Sequence, residues 1–203
     1  MVKAILFDWH GVLDNITYER FLDAAAKRLY DYDDEFPLQV LRETIVDSEL
    51  YQQGQDYARG MISPHDFWTL VHQRPLWLGL EEHLLRVDLN LQVWDLMPRL
   101  ATSYKLAVVS DTPVDKATLI TKAIAEQHVK FDPIIYSYGY GRLKIEADRP
   151  SLFQSATERL GLPTYECLVV DDSKKNIDSV AQEGFATFHY RNDRLGEFME
   201  LIR

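Results

Sequence analysis

Lys3-Ala4-Ile5-Leu6-Phe7-Asp8-Trp9-His10-Gly11-Val12-Leu13-Asp14 decides the reading of this chain. Val2 to Phe7 is apolar apart from Lys3, the pattern of a strand buried on both faces. The run delivers a carboxylate, Asp8, to the strand end. A turn built on Gly11 comes next, and then a second acid, Asp14. Open α/β sheets place their chemistry at the C-terminal ends of central strands, so Asp8 is a candidate functional residue. The plain alternative is a carboxylate that ends a strand and caps the next turn. One motif alone does not decide between them, and three later segments bear on the choice.

The texture changes from Asn15 to about Asn90. No second strand is predicted there. Helical segments are expected instead, broken at Pro37, Gly54, Gly60, Pro64, Pro75 and Gly79. Ser63-Pro64-His65-Asp66 is a helix start, with Ser63 as N-cap and Pro64 in the first turn. Phe67, Leu70 and Val71 then form one apolar stripe. Val93, Leu96, Met97 and Leu100 repeat the spacing on a later helix. Beyond Ser103 strands and helices alternate: strands at 106–109, 133–136, 167–170 and 186–189, helices at 113–127, 151–160 and 174–183. That alternation implies right-handed crossovers and a parallel sheet. The expected fold is an α/β, doubly wound, Rossmann-like core of residues 1–14 and 91–203. An all-helical insert spans 15–90.

The second segment is Val108-Val109-Ser110-Asp111-Thr112-Pro113. A hydroxyl and free backbone N–H groups at a strand end, just before a helix, can hold an anion such as phosphate. They are also ordinary capping residues. The third is Gly139-Tyr140-Gly141-Arg142-Leu143-Lys144, where Lys144 can neutralise a phosphoryl oxygen. It is not a nucleotide P-loop, because Ile145 comes after the lysine. The fourth is Val169-Val170-Asp171-Asp172-Ser173-Lys174-Lys175-Asn176. Two adjacent carboxylates at a strand end repel one another unless a cation intervenes. Mg²⁺ is the economical cation, since it takes oxygen ligands and one or two carboxylates.

The 203 residues suffice for one full core and a smaller module. A net charge of -10 argues against nucleic acid or an anionic membrane as partner. The single cysteine, Cys167, excludes an internal disulfide and fits the core better than a nucleophilic role. No apolar run approaches membrane-spanning length. The first strand starts at once, without a signal peptide, so a cytoplasmic address is expected. His65 and His72 lack metal-binding spacing. Trp68, Trp77 and Trp94 read as packing residues, one of which can line a substrate cavity.

Together the four segments resemble the haloacid dehalogenase-like hydrolase superfamily over the whole chain. The DxxGVLxD form (Asp8, Gly11, Val12, Leu13, Asp14) and the DDSxxNxxxAxxxG form (Asp171 to Gly184, with Asn176 and Ala181) are similar to the variety with a helical cap inserted after the first motif. The resemblance implies a Mg²⁺-dependent phosphatase acting on a small phosphorylated molecule, and the chain is expected as either a monomer or a homodimer. Asp8 would be the nucleophile forming an acyl-phosphate. Ser110, Asp111 and Lys144 would hold phosphate. Asp8, Asp171, Asp172 and the His10 backbone carbonyl would surround the metal.

Two departures matter. Phosphatases of the superfamily carry an Asp as general acid/base where this chain has His10. Histidine can do that work near pH 7. The position can equally mark a weak or inactive relative, or another reaction. Dehalogenases of the superfamily have Tyr there and need no Mg²⁺. Phosphonoacetaldehyde hydrolases have a small residue after Asp-Trp and use a cap lysine, for which only Lys27 is at hand. The run from Lys144 to Pro150 is also about three residues longer than in relatives, leaving Arg142 and Arg149 as alternatives to Lys144.

Overall fold

The computed structural model describes residues 1–17, 20, 49–74 and 79–202. The expectations for Pro37, Pro75, Trp77 and Lys27 lie outside them. Five strands form one parallel sheet: β1 (Ala4–Phe7), β2 (Lys105–Ser110), β3 (Ile134–Tyr136), β4 (Cys167–Asp171) and β5 (Ala186–His189). Their order is β3-β2-β1-β4-β5. β1 is therefore central, paired on one side with β2 (Phe7 opposite Val108) and on the other with β4 (Phe7 opposite Val170). The strand order reverses at β1, so Asp8 emerges at the topological switch point, where crevices form in open sheets.

The apolar run works as both faces of a buried strand. Ile5 and Phe7 pack into a layer with Trp94, Met97, Ile120 and Phe198. Ala4 and Leu6 pack into the opposite layer with Leu152, Phe153, Ala156 and Val180. The first layer is built on α4 (Leu91–Trp94), α5 (Met97–Ser103), α6 (Val114–Glu126) and α9 (Leu195–Leu201). The second rests on α7 (Leu152–Leu160) and α8 (Lys174–Gln182). Phe7 meets the rings of Phe131 and Phe198 edge-on, at 6.4 and 6.2 Å.

The helix ends obey local chemistry. Ser151 caps α7 through the Gln154 N–H, and Gly161 ends it at φ 66°. Ser173 caps α8 through the Asn176 N–H. Between β1 and Asn90 the described residues contain no strand. They form α1 (Glu49–Ala58), α2 (Pro64–His72) and α3 (Leu80–Leu84). Ser63 caps α2 as expected. These helices share a small apolar cluster of their own, with Leu50, Tyr57, Phe67, Trp68, Val71 and Leu80.

Three expectations need correction. Gly54 lies inside α1 rather than at a break, since packing of Leu50 and Tyr57 carries the helix through it. The later helix is two, α4 and α5, with Pro98 in the first turn of the second. The closing helix α9, anchored by Phe198, is absent from the expected elements.

Candidate active site

Asp8 comes directly after β1. Its backbone N–H bonds to the Val170 carbonyl, and its Oδ1 accepts the Trp9 N–H at 2.7 Å. Asp171 ends β4, and Asp172 is next to it. Each of Asp8, Asp171 and Asp172 offers an oxygen within 4.8 Å of the other two. The sequence separation between Asp8 and this pair is closed by the β1–β4 pairing. Gly11 makes the approach possible. It sits at φ 74°, and a Cβ there would fall 2.0 Å from Asp172 Oδ2.

Lys144 supplies the local positive charge. Its buried Nζ is 2.6 Å from Asp8 Oδ2 and 2.9 Å from Asp171 Oδ2. Asp111 holds the loop that carries it, accepting the Lys144 backbone N–H at 2.6 Å. Asn176 donates to both Asp171 oxygens at 3.1 Å, and the Ser173 N–H reaches Asp171 Oδ1 at 2.8 Å. Ser110 lies at the end of β2, fully buried, with its hydroxyl 2.6 Å from Thr112 Oγ1. Of the three basic candidates in this loop, Lys144 reaches the carboxylates. Arg142 instead donates to the Pro150 carbonyl and to Ser155 Oγ, and Arg149 is exposed.

These placements set the electrostatics. Burial pushes the Asp8 carboxyl well up; Lys144 opposes this, while Asp171 and Asp172 add to it. Burial also raises Asp111, again against Lys144. Burial works against the Lys144 ammonium, yet Asp171, Asp8 and Asp111 outweigh it and hold the group charged above its ordinary range. His10 is driven down to about 3, first by burial and then by the Lys116 and Lys144 cations. Its Nδ1 lies 3.2 Å from the Ile16 carbonyl, which accepts an Nδ1–H and leaves Nε2 with the lone pair. Burial pushes the Cys167 thiol up to about 11, in keeping with a core residue.

Asp14 has a different task. Fully buried, it accepts from Trp9 Nε1 (2.9 Å), Ile16 N (3.0 Å) and Asp88 N (3.0 Å), and pairs with Lys116 Nζ at 3.4 Å. It fixes the turn that presents His10 and Gly11, and ties that turn to the returning chain. Sequence reasoning missed Lys116. The signal was available, because Lys116 shares a helical stripe with Ile120 and Ala123, the buried face of α6. Arg59 was also missed. Its Nε bonds Glu146 Oε1 at 3.0 Å, and the same oxygen accepts the Leu143 N–H beside Lys144.

A cavity of about 470 Å³ opens between α1–α3 and the strand ends. His10, Asp111, Leu143 and Ser173 form its floor, and Trp68 stands in its wall. Trp94 is instead core, edge-on to Trp9. His65 and His72 are exposed on α2. No helix among the described residues is long and apolar enough to cross a membrane.

By fold, the chain is similar to a haloacid dehalogenase (HAD) family enzyme from Bacteroides thetaiotaomicron, with TM-score 0.70 and 20% identity over 100% of this chain and 98% of that one. That enzyme has also been solved with magnesium and inorganic phosphate, where the TM-score is 0.63 at 20% identity over 94% of this chain and 95% of that one. A HAD-like family hydrolase from Porphyromonas gingivalis gives 0.69 at 21% identity, covering 100% and 98%. A 2-haloacid dehalogenase from Pseudomonas syringae pv. Tomato DC3000 gives 0.57 at 15%, covering 100% of both. No curated protein matches the chain in sequence. The family model for the haloacid dehalogenase-like hydrolases matches residues 2–184. With its four motif segments gathered at the ends of a central parallel sheet, the chain belongs to the haloacid dehalogenase-like hydrolases.

Proposed function

We propose that this hydrolase is a Mg²⁺-dependent phosphatase of a small phosphorylated molecule. Residues 15–90 act as its helical cap over the core of residues 1–14 and 91–203. One observation carries the reading: three carboxylates converge within 4.8 Å while one lysine bridges two of them. Three carboxylates gathered around one ammonium put an excess of negative charge in a largely buried place, which is costly without a counter-ion. A divalent cation with oxygen ligands fits that excess. Asp8, Asp171, Asp172 and the His10 backbone carbonyl would hold it. When bound, Mg²⁺ would shield the phosphoryl oxygens from the attacking carboxylate.

The protein's own groups supply the rest. Asp8 attacks phosphorus, the ester oxygen leaves, and an aspartyl-phosphate remains on Asp8 for water to hydrolyse. Lys144 draws charge from the transferring group. The Ser110 hydroxyl and the backbone N–H of Asp111 hold its oxygens, since the Asp111 carboxylate already serves the Lys144 loop. Asn176 keeps Asp171 oriented. His10, neutral near pH 7, accepts a proton from the hydrolytic water through Nε2. It arrives at the first step without a proton to donate, so departure of a poor leaving group is the slow step.

The test is phosphate release from a panel of phosphomonoesters with and without Mg²⁺, on wild type and Asp8→Asn. Turnover that requires Mg²⁺ and disappears in D8N is the expected result. Turnover retained in D8N would falsify the covalent mechanism, and chloride release from 2-chloroalkanoates without metal would move the chain to dehalogenase chemistry.

A further inference from the structure

We infer that the alcohol portion of the substrate is apolar and ring-bearing, an aromatic or alicyclic group rather than a polyol. The inference rests on the phosphatase reading. It deepens that reading from the walls of the cavity rather than from its floor.

The floor establishes which cavity receives the leaving group. His10, Asp111, Leu143 and Ser173 each stand one or two residues from Asp8, Ser110, Lys144 and Asp172. All four chemistry-bearing loops therefore open into this one space. A second cavity of about 580 Å³ lies on the Asp172 side, with Arg20, Arg191 and Asp193 in its lining. It receives nothing from the β2 or Lys144 loops, so it does not face the whole site.

Above the floor the surface is hydrocarbon and aromatic. Leu50, Phe67, Trp68, Leu80, Leu84 and Leu85 form most of it. Phe67 and Trp68 meet edge-on at 4.9 Å, and Tyr57 stacks on Phe67 at 4.2 Å. Such walls welcome a ring.

Three of the polar side chains in these walls, those of Tyr57, Trp68 and Lys116, already have partners, and Gln55 is the polar exception among the described residues. The Tyr57 hydroxyl donates to the Asp115 carboxylate, and Trp68 Nε1 donates to the same oxygen at 3.0 Å. The Lys116 ammonium is held by Asp14 and by the Arg86 carbonyl. A polyol entering here would shed its water and find few replacement hydrogen bonds among the described residues, chiefly the Gln55 amide. An apolar ring loses nothing comparable, and its burial is favourable.

Binding of phosphonates in saturating Mg²⁺ tests this without turnover. Benzylphosphonate should bind at least tenfold more tightly than 2,3-dihydroxypropylphosphonate by calorimetry. Leu84→Gln or Leu85→Gln, both on half-buried positions, should narrow that ratio. Equal affinities, a preference for the diol, or no binding of either would overturn the inference. Turnover runs alongside, with benzyl phosphate against glycerol 3-phosphate, both of which lose a primary alkoxide. The expected kcat/KM ratio is again tenfold or more. A benzyl preference in binding, with neither ester hydrolysed, would keep the apolar assignment and remove the phosphatase reading instead.

Discussion

The Lys144 ammonium sits 2.6 Å from the Asp8 carboxylate and 2.9 Å from Asp171 on its other side. Holding a lysine between the proposed nucleophile and a neighbouring acid has two consequences. It offsets repulsion among buried carboxylates, and under the proposed function it would set a positive charge beside the transferring phosphoryl group. Replacing Lys144 by Met should lower kcat by about 10²–10³, the scale of losing one aimed electrostatic group. The same variant should depend more on Mg²⁺ for stability, because the metal then takes over the lysine's share of the charge. Thermal unfolding in EDTA and in Mg²⁺ checks this: the gap between the two midpoints should widen in K144M.

His10 gives the protein a pH signature. Its folded-state pKa lies at about 3, against an ordinary value of 6.5. Between those values the unfolded chain binds the extra proton at this residue, so the His10 contribution to stability rises with pH across the window. The contribution is complete above pH 6.5 and fades as pH falls toward 3. The part lost by pH 5 amounts to about 2 kcal/mol. His10→Gln should lower the slope of the urea midpoint against pH over pH 4–6.5 relative to wild type, while the raised Asp8 and Asp111 carboxyls contribute with the opposite sign in both proteins. His10→Asp supplies the carboxyl that phosphatases of the superfamily carry at this position. It should raise turnover of alkyl phosphates and shift the optimum downward.

Asp14 and Lys116 form a buried pair whose halves differ in what they leave behind. Asp14→Ala strands the Lys116 ammonium and strips the Ile16 and Asp88 N–H groups of their acceptor. It should cost about 3–5 kcal/mol in urea unfolding. Lys116→Met leaves Asp14 with three other donors and should cost less. The double variant Asp14→Asn/Lys116→Met should recover much of the loss, because no unpaired charge remains.

Arg59 and Glu146 couple α1 to the Lys144 loop. The pair is partly exposed, so Arg59→Leu should change stability by about 0–1 kcal/mol. Its effect belongs in kcat, through a loosened Leu143–Lys144 backbone. A fall of a few fold in kcat is expected with KM nearly constant. High salt should reproduce part of that loss in wild type and little of it in R59L.

Much of the fold was legible because buried parallel strands write themselves as apolar runs. Ala4–Phe7 and Cys167–Asp171 are unbroken apolar runs up to the final Asp171, and Ser63, Ser151, Ser173 and Gly161 mark helix ends by local hydrogen bonding. Gly54 misled because propensity at one position is weak beside the packing of Leu50 and Tyr57 on either side. α9 was overlooked because its seven residues carry one buried anchor, Phe198.

The strands, and the acids that stand at their ends, could be read from the chain because they depend on near neighbours along it. The meeting of Asp8 with Asp171 and Asp172, the capture of Lys144 between them, and the Asp14–Lys116 pair arise only in three dimensions. Such contacts join residues as much as 164 positions apart, a separation bridged by strand pairing and helix packing rather than by any local pattern. The aromatic wall over His10 belongs with them, because which side chains face an inserted helix's neighbour is settled by how the two bodies pack.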